Sequence, residues 1–108
     1  MVEANSVEAS SVVASSVETG VAAYQSGDFR QAFDIWRVLA NAGDARARFH
    51  LGALYYEGRG VARQLETAHL LLGLAANAGH QGAMALRDRV AAEMPVTQIA
   101  TMPDAAIR

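Results

Sequence analysis

The chain has 108 residues, of which 52% are apolar and only 6% aromatic, so it makes one small domain whose few large side chains carry much of the packing. A net charge of −2, with all nine basic residues Arg, gives no electrostatic footprint for nucleic acid, and the absence of Cys removes both a disulfide framework and a thiol nucleophile. No stretch approaches the roughly 20 apolar residues needed to cross a bilayer, and the start Met1-Val-Glu-Ala-Asn lacks the basic head and apolar run of a signal peptide.

Residues 2–19 read as a tandem pentad pattern, Val-Glu-Ala-Asn-Ser, Val-Glu-Ala-Ser-Ser, Val-Val-Ala-Ser-Ser and then Val-Glu-Thr, and residues 1–15 are taken as a leader. Five helical steps rotate each Val by about 140° from the last, so no apolar face forms. On a strand the odd period sends successive Val residues to opposite faces. The expectation is a low-complexity leader, disordered or weakly helical. At its end Ser15-x-x-Glu18 fits a capping box opening a helix from about Ser16 to Gln25, stopped by Gly27.

Asp28-x-x-Gln31 is a second capping box, and Phe29, Ala32, Phe33, Trp36, Leu39 and Ala40 recur behind it at helical spacing up to Gly43. Asp44 is placed to cap a third helix with Ala47, Leu51, Leu54 and Tyr55 on one side, ended by Gly58. The spacing then predicts a loop through Gly58-Arg-Gly60-Val61, a helix over Leu65–Ala78, and another over Gln81–Glu93 that stops before Pro95. Thr97 could cap a last short turn around Gln98–Ala100, within a C-terminal cap and tail spanning 94–108. The short turns make neighbouring helices antiparallel.

One segment occurs twice. Trp36-Arg-Val-Leu-Ala-Asn-Ala-Gly43-Asp-Ala-Arg-Ala47 is echoed by Leu72-Gly-Leu-Ala-Ala-Asn-Ala-Gly79-His-Gln-Gly-Ala83, and Gly43 and Gly79 are 36 residues apart. A period of this length marks a helical repeat array, whose units cannot bury an apolar face alone. The expected fold is therefore all-α, an αα-hairpin repeat solenoid of about two repeats plus a C-terminal capping helix, over residues 16–93. Ala47, Ala68, Ala75 and Ala83 would let helix backbones approach closely. Gly52, which costs about 1 kcal/mol of helix propensity, makes sense only at a close crossing.

The second hairpin has a longer inner loop than the first. Its pattern, Ala47-x-x-x-Leu51-Gly52-x-x-Tyr55-x-x-Gly58-x-Gly60-Val61 followed by Ala68, Ala75-Ala76, Gly79 and Ala83, closely resembles the Sel-one-like repeat, a relative of the tetratricopeptide repeat. The first unit, from Ala23-Tyr24-x-x-Gly27-Asp28-Phe29 to Gly43-Asp44, looks like the tetratricopeptide-type opening repeat of bacterial members. Arg87-Asp88, Met94 and Gln98-Ile99-Ala100 resemble their usual C-terminal cap. Gln64, Thr67 and Leu71 depart from the family pattern, which commonly has an acidic residue, a Lys and an aromatic there. The resemblance covers about residues 20–100 and implies a non-catalytic adaptor or scaffold that binds a protein or peptide on a concave face. Exported members are frequent, which makes an extracytoplasmic location compatible with it.

Chemistry-bearing residues are sparse. His50, His69 and His80 form no metal-ligand spacing, the serines cluster in the leader far from any plausible His–Asp pair, and Asp28 and Asp44 are explained as caps. No catalytic, cofactor-binding or metal residue is assigned, and no cofactor is expected. First helices of such hairpins tend to line the concave face, and Tyr and Arg are common interface anchors. Tyr24, Arg48, His50, Tyr55, Tyr56 and Arg59 are therefore the partner-binding candidates. Leu70 and Leu74 extend the apolar surface of their helix, and the capping helix is expected to cover them. Two hairpins are few for a stable array, so self-association is a further expectation. The rival readings are a structural accessory subunit of a larger complex and, more remotely, a hydrolase-type enzyme.

Overall fold

The computed structural model describes residues 16–95, and the leader and the Gln98–Ala100 turn lie outside them. The described chain is all-helical, with α1 Val17–Gln25, α2 Phe29–Asn41, α3 Ala45–Glu57, α4 Leu65–Asn77 and α5 Gln81–Glu93. Helices pack in consecutive pairs, the arrangement of stacked helical hairpins.

Three of the four turns are one device used repeatedly. The Gly43 N–H donates to the Ala40 carbonyl (3.0 Å) and the Asp44 N–H to the Leu39 carbonyl (3.1 Å), while Gly43 takes φ +99°. This is a Schellman stop, which needs a residue without a Cβ at that position. Asp44 then turns round and caps α3, its Oδ1 accepting from the Ala47 N–H at 3.1 Å. The same bonds recur at Gly79 and His80, where the imidazole Nδ1 accepts from the Ala83 N–H at 3.0 Å, and at Gly27 and Asp28. The repeated segment thus encodes a stop and a start in three residues. The first helix begins one residue later than the capping box suggests: Ser16 is the cap, its hydroxyl accepting from the Thr19 N–H.

Two apolar clusters fill the stack. The first centres on Ile35, Trp36 and Leu54, the second on Leu72, Ala75, Ala83 and Val90. Tyr55 packs against both and so joins the hairpins. Ala47, Ala68, Ala75 and Ala83 are completely buried, as close helix approach requires. Gly52 sits where α3 crosses α4: a Cβ there would lie 2.9 Å from Leu72 Cγ. Gly20 does the same for α1, since a Cβ would fall on the Trp36 indole. Trp36 is buried, and its Nε1–H donates to the Val17 carbonyl at 3.1 Å.

Side-chain ties show how the hairpins face one another. Glu18 near the start of α1 meets Arg46 near the start of α3, and Tyr24 near the end of α1 meets Glu57 at the end of α3. Phe49 and His80 stack near the starts of α3 and α5, and Tyr56 donates to Glu93 near their ends. So α1, α3 and α5 run parallel as one layer, and α2 and α4 return in the opposite direction as the other.

Candidate binding cleft

A cleft of about 370 Å³ opens on the layer of α1, α3 and α5. Its lining is Val21, Tyr24 and Gln25 from α1, Phe49, His50, Ala53 and Glu57 from α3, and Trp36 and Leu86 from the neighbouring helices. Gly20 and Ala23 keep α1 slim enough to lie on Trp36. Ala53 keeps the middle of the cleft open, because a larger residue at that position would fill it.

A row of rings runs along the cleft, and Tyr24, Trp36, Phe49 and His50 of that row line it. Phe29 meets Tyr24 edge-on at 5.1 Å, Tyr24 lies 6.1 Å from Trp36, and Trp36 stacks on His50 at 4.6 Å. His50 meets Phe49 at 5.0 Å, and Phe49 stacks on His80 at 4.5 Å. Neighbouring rings hold one another's rotamers, and such pairs add stability beyond simple burial.

Polar side-chain ties join α1 to α3 at both ends. At the start of α1 and α3, Arg46 Nη1 donates to Glu18 Oε2 at 2.8 Å, which lowers the Glu18 pKa and raises that of Arg46. At the other end the Tyr24 hydroxyl donates to Glu57 Oε1 at 2.8 Å, and Arg59 Nη1 donates to the Tyr24 oxygen at 2.9 Å. Burial first, and then the Glu57 bond, push the Tyr24 phenol upward. Within the cleft, burial holds the His50 pKa below its ordinary value, with His80 and Arg46 acting in the same direction. The cleft thus favours the neutral imidazole of His50 over the charged form.

The six sequence candidates divide. Tyr24 and His50 line the cleft, and Arg59 reaches over its rim. The other three make contacts elsewhere. Arg48 Nε donates to the Ala40 carbonyl at 3.2 Å and so satisfies the end of α2. Tyr55 meets Phe33 edge-on inside the stack. Tyr56 donates to Glu93, a carboxylate that Arg63 also holds, so it ties α3 to α5. Glu93 is drawn down by Tyr56 and then Arg63, and the Tyr56 phenol is pushed up chiefly by its bond to Glu93.

Sequence reading did not single out Val21, Ala53, Glu57 or Leu86. A parallel α1–α3 register would have found the first three, because Val21 and Gln25 then face Ala53 and Glu57, while Leu86 comes from α5. His80 is a cap, as its place after Gly79 suggests, and His69 is half-buried. Leu70 and Leu74 are 62% and 41% exposed, so the capping helix does not cover them as expected. Among the described residues no cluster has the make-up of a metal site, and no helix is long and apolar enough to cross a membrane. Comparison with family models, with curated proteins and with solved structures gives no match for this chain.

Proposed function

We propose that this protein is a non-catalytic adaptor whose α1–α3 cleft receives an apolar side chain from a peptide or helix of a protein partner. The cleft itself carries this reading. Its volume is that of a ligand pocket, its walls are mainly apolar and aromatic, and a few polar groups stand at one end. The ring row supports it further, since rings already packed on one another lose less freedom when a guest binds.

A panel of displayed helical peptides tests the reading, with binding followed by fluorescence of Trp36, the sole tryptophan. Peptides that bind should perturb Trp36 and be lost on Ala53→Arg, which plugs the cleft at a half-buried position while leaving the fully buried core residues untouched. Binders indifferent to Ala53→Arg would refute it.

A second reading, a structural subunit held by an apolar face, draws support from Leu70 and Leu74. They lie one turn apart on α4 and are exposed. The double substitution Leu70→Gln and Leu74→Gln separates the two: it should abolish assembly under the subunit reading and leave peptide binding intact under the adaptor reading.

A further inference from the structure

The three stop-and-start turns share one backbone design but not one cap. Asp28 and Asp44 cap with a carboxylate oxygen, whereas His80 caps with Nδ1 of its ring, which accepts from the Ala83 N–H at 3.0 Å. An imidazole nitrogen accepts only while it carries no proton. The capping ring is therefore the neutral tautomer with its proton on Nε2. A protonated ring would turn an N–H toward the Ala83 N–H. It would also add a full positive charge to a helix end that already carries about half of one. A carboxylate cap meets no such conflict, because negative charge is favoured at a helix start. The His80 ring has a second contact, stacking on Phe49 at 4.5 Å with the planes 21° apart. It fits closely over the start of α5, where a Cβ on Gly82 would lie 3.1 Å from its Cε1. Phe49 lines the cleft, as does Leu86 in the second turn of α5.

From these contacts we propose that the turn between α4 and α5 is an acid-released joint: proton uptake by His80 uncaps α5, frays its first turn and frees Phe49 on the α5 side of the cleft. The surrounding charges oppose a cationic ring rather than hold it. On α3 the nearby groups are Arg46 and His50, and a charge on His80 works against one on His50. On α4 no charged residue stands between Leu70 and Asn77, and on α5 none precedes Arg87. The carboxylates at this end are engaged elsewhere, Asp44 with the Ala47 N–H and Glu18 with Arg46. Histidine is the side chain that ordinarily changes charge between about pH 5 and 8. The joint is therefore closed at neutral pH and opens in mild acid, while the turns at Asp28 and Asp44 stay closed. It belongs to the fold and stands apart from the use of the cleft as a peptide site.

An NMR titration of the full, unsubstituted chain reads the joint directly. As pH falls from about 7.5 to about 5.5, the range in which histidine takes up its proton, the Ala83 amide should lose its hydrogen bond and move along the same curve as the His80 ring protons. The Gln31 and Ala47 amides, bonded to Asp28 and Asp44, should hold still. Thermal melts of the chain with and without His80→Asp, both carrying His50→Phe so that the neighbouring histidine drops out, give a second measure. The advantage of Asp at position 80 should grow by about 4–8 °C over that pH range, the shift expected from one ordinary cap in a domain of this size. His80→Ala, which lacks the cap at every pH, should lag the parent at neutral pH and match it in acid. A His80 ring that does not titrate in this range, an Ala83 amide that stays put while the ring titrates, or an Asp advantage equal at both pH values would overturn the joint.

Discussion

Single atoms decide two of the helix crossings. A Cβ at Gly52 would meet Leu72 Cγ at 2.9 Å and Leu72 Cδ2 at 3.1 Å. Gly52→Val should therefore destabilise the fold by about 1–3 kcal/mol in urea denaturation, through overpacking rather than lost contacts. This position was legible, because glycine in mid-helix is costly unless a neighbour stands close. Gly20 was not, since its partner Trp36 is 16 residues away on another helix and no local signal points to it. His50 gives a prediction in pH. Its pKa is lowered in the folded state, mainly by burial, so the unfolded chain takes up the proton first as pH falls. Stability should drop as pH passes below about 6.5, the ordinary histidine value. His50→Phe, which keeps a ring against Trp36, should flatten that part of a melting-temperature profile. Glu18 and Glu93, with lowered pKa values, act only at more acid pH, where their protonation removes further stability.

Helix ends were readable because the chain marks them twice, with a glycine to stop and a polar residue to start. Gly43 and Asp44, like Gly79 and His80, do both jobs within three-residue turns. Asp44→Ala should cost about 0.5–2 kcal/mol by denaturant titration, the usual loss for an N-cap. The longer loop between α3 and α4 was legible as an insertion, while its use was not. Gly60 takes φ +73° and lies against the start of α2, where a Cβ would fall 2.7 Å from the Phe29 carbonyl oxygen. Arg59 beside it covers the rings of Phe29 and Tyr24. The loop thus folds back over the first hairpin and finishes one end of the cleft. Gly60→Ala should lower stability more than Gly43→Ala: both demand a left-handed backbone, but the space around Gly43 is open. Thermal melts of the two variants side by side give the comparison.

Taken together, the helices form two layers, and the proposed binding cleft opens on the one built of α1, α3 and α5. The repeat predicted the stack, and the alanines at 47, 68, 75 and 83 predicted where it is tight. Which side chains gather on the open layer depends on register between helices distant in sequence. For that reason Tyr24 and His50 were found while Ala53 and Glu57 were not. Arg48, Tyr55 and Tyr56 match the composition of an interface anchor, yet each is taken up by a neighbouring helix. Tyr55 links both apolar clusters, so Tyr55→Ala should loosen the coupling of the two hairpins and broaden the unfolding transition.

The central claim is that the gap between α1 and α3 is the surface that receives a guest. Amide and indole NMR shifts, recorded while a peptide selected for binding is titrated into the protein, test it most directly. The largest changes should fall on Val21, the Trp36 indole, His50, Ala53 and Leu86. Changes concentrated on Leu70 and Leu74 of α4, with the Trp36 indole unmoved, would contradict it.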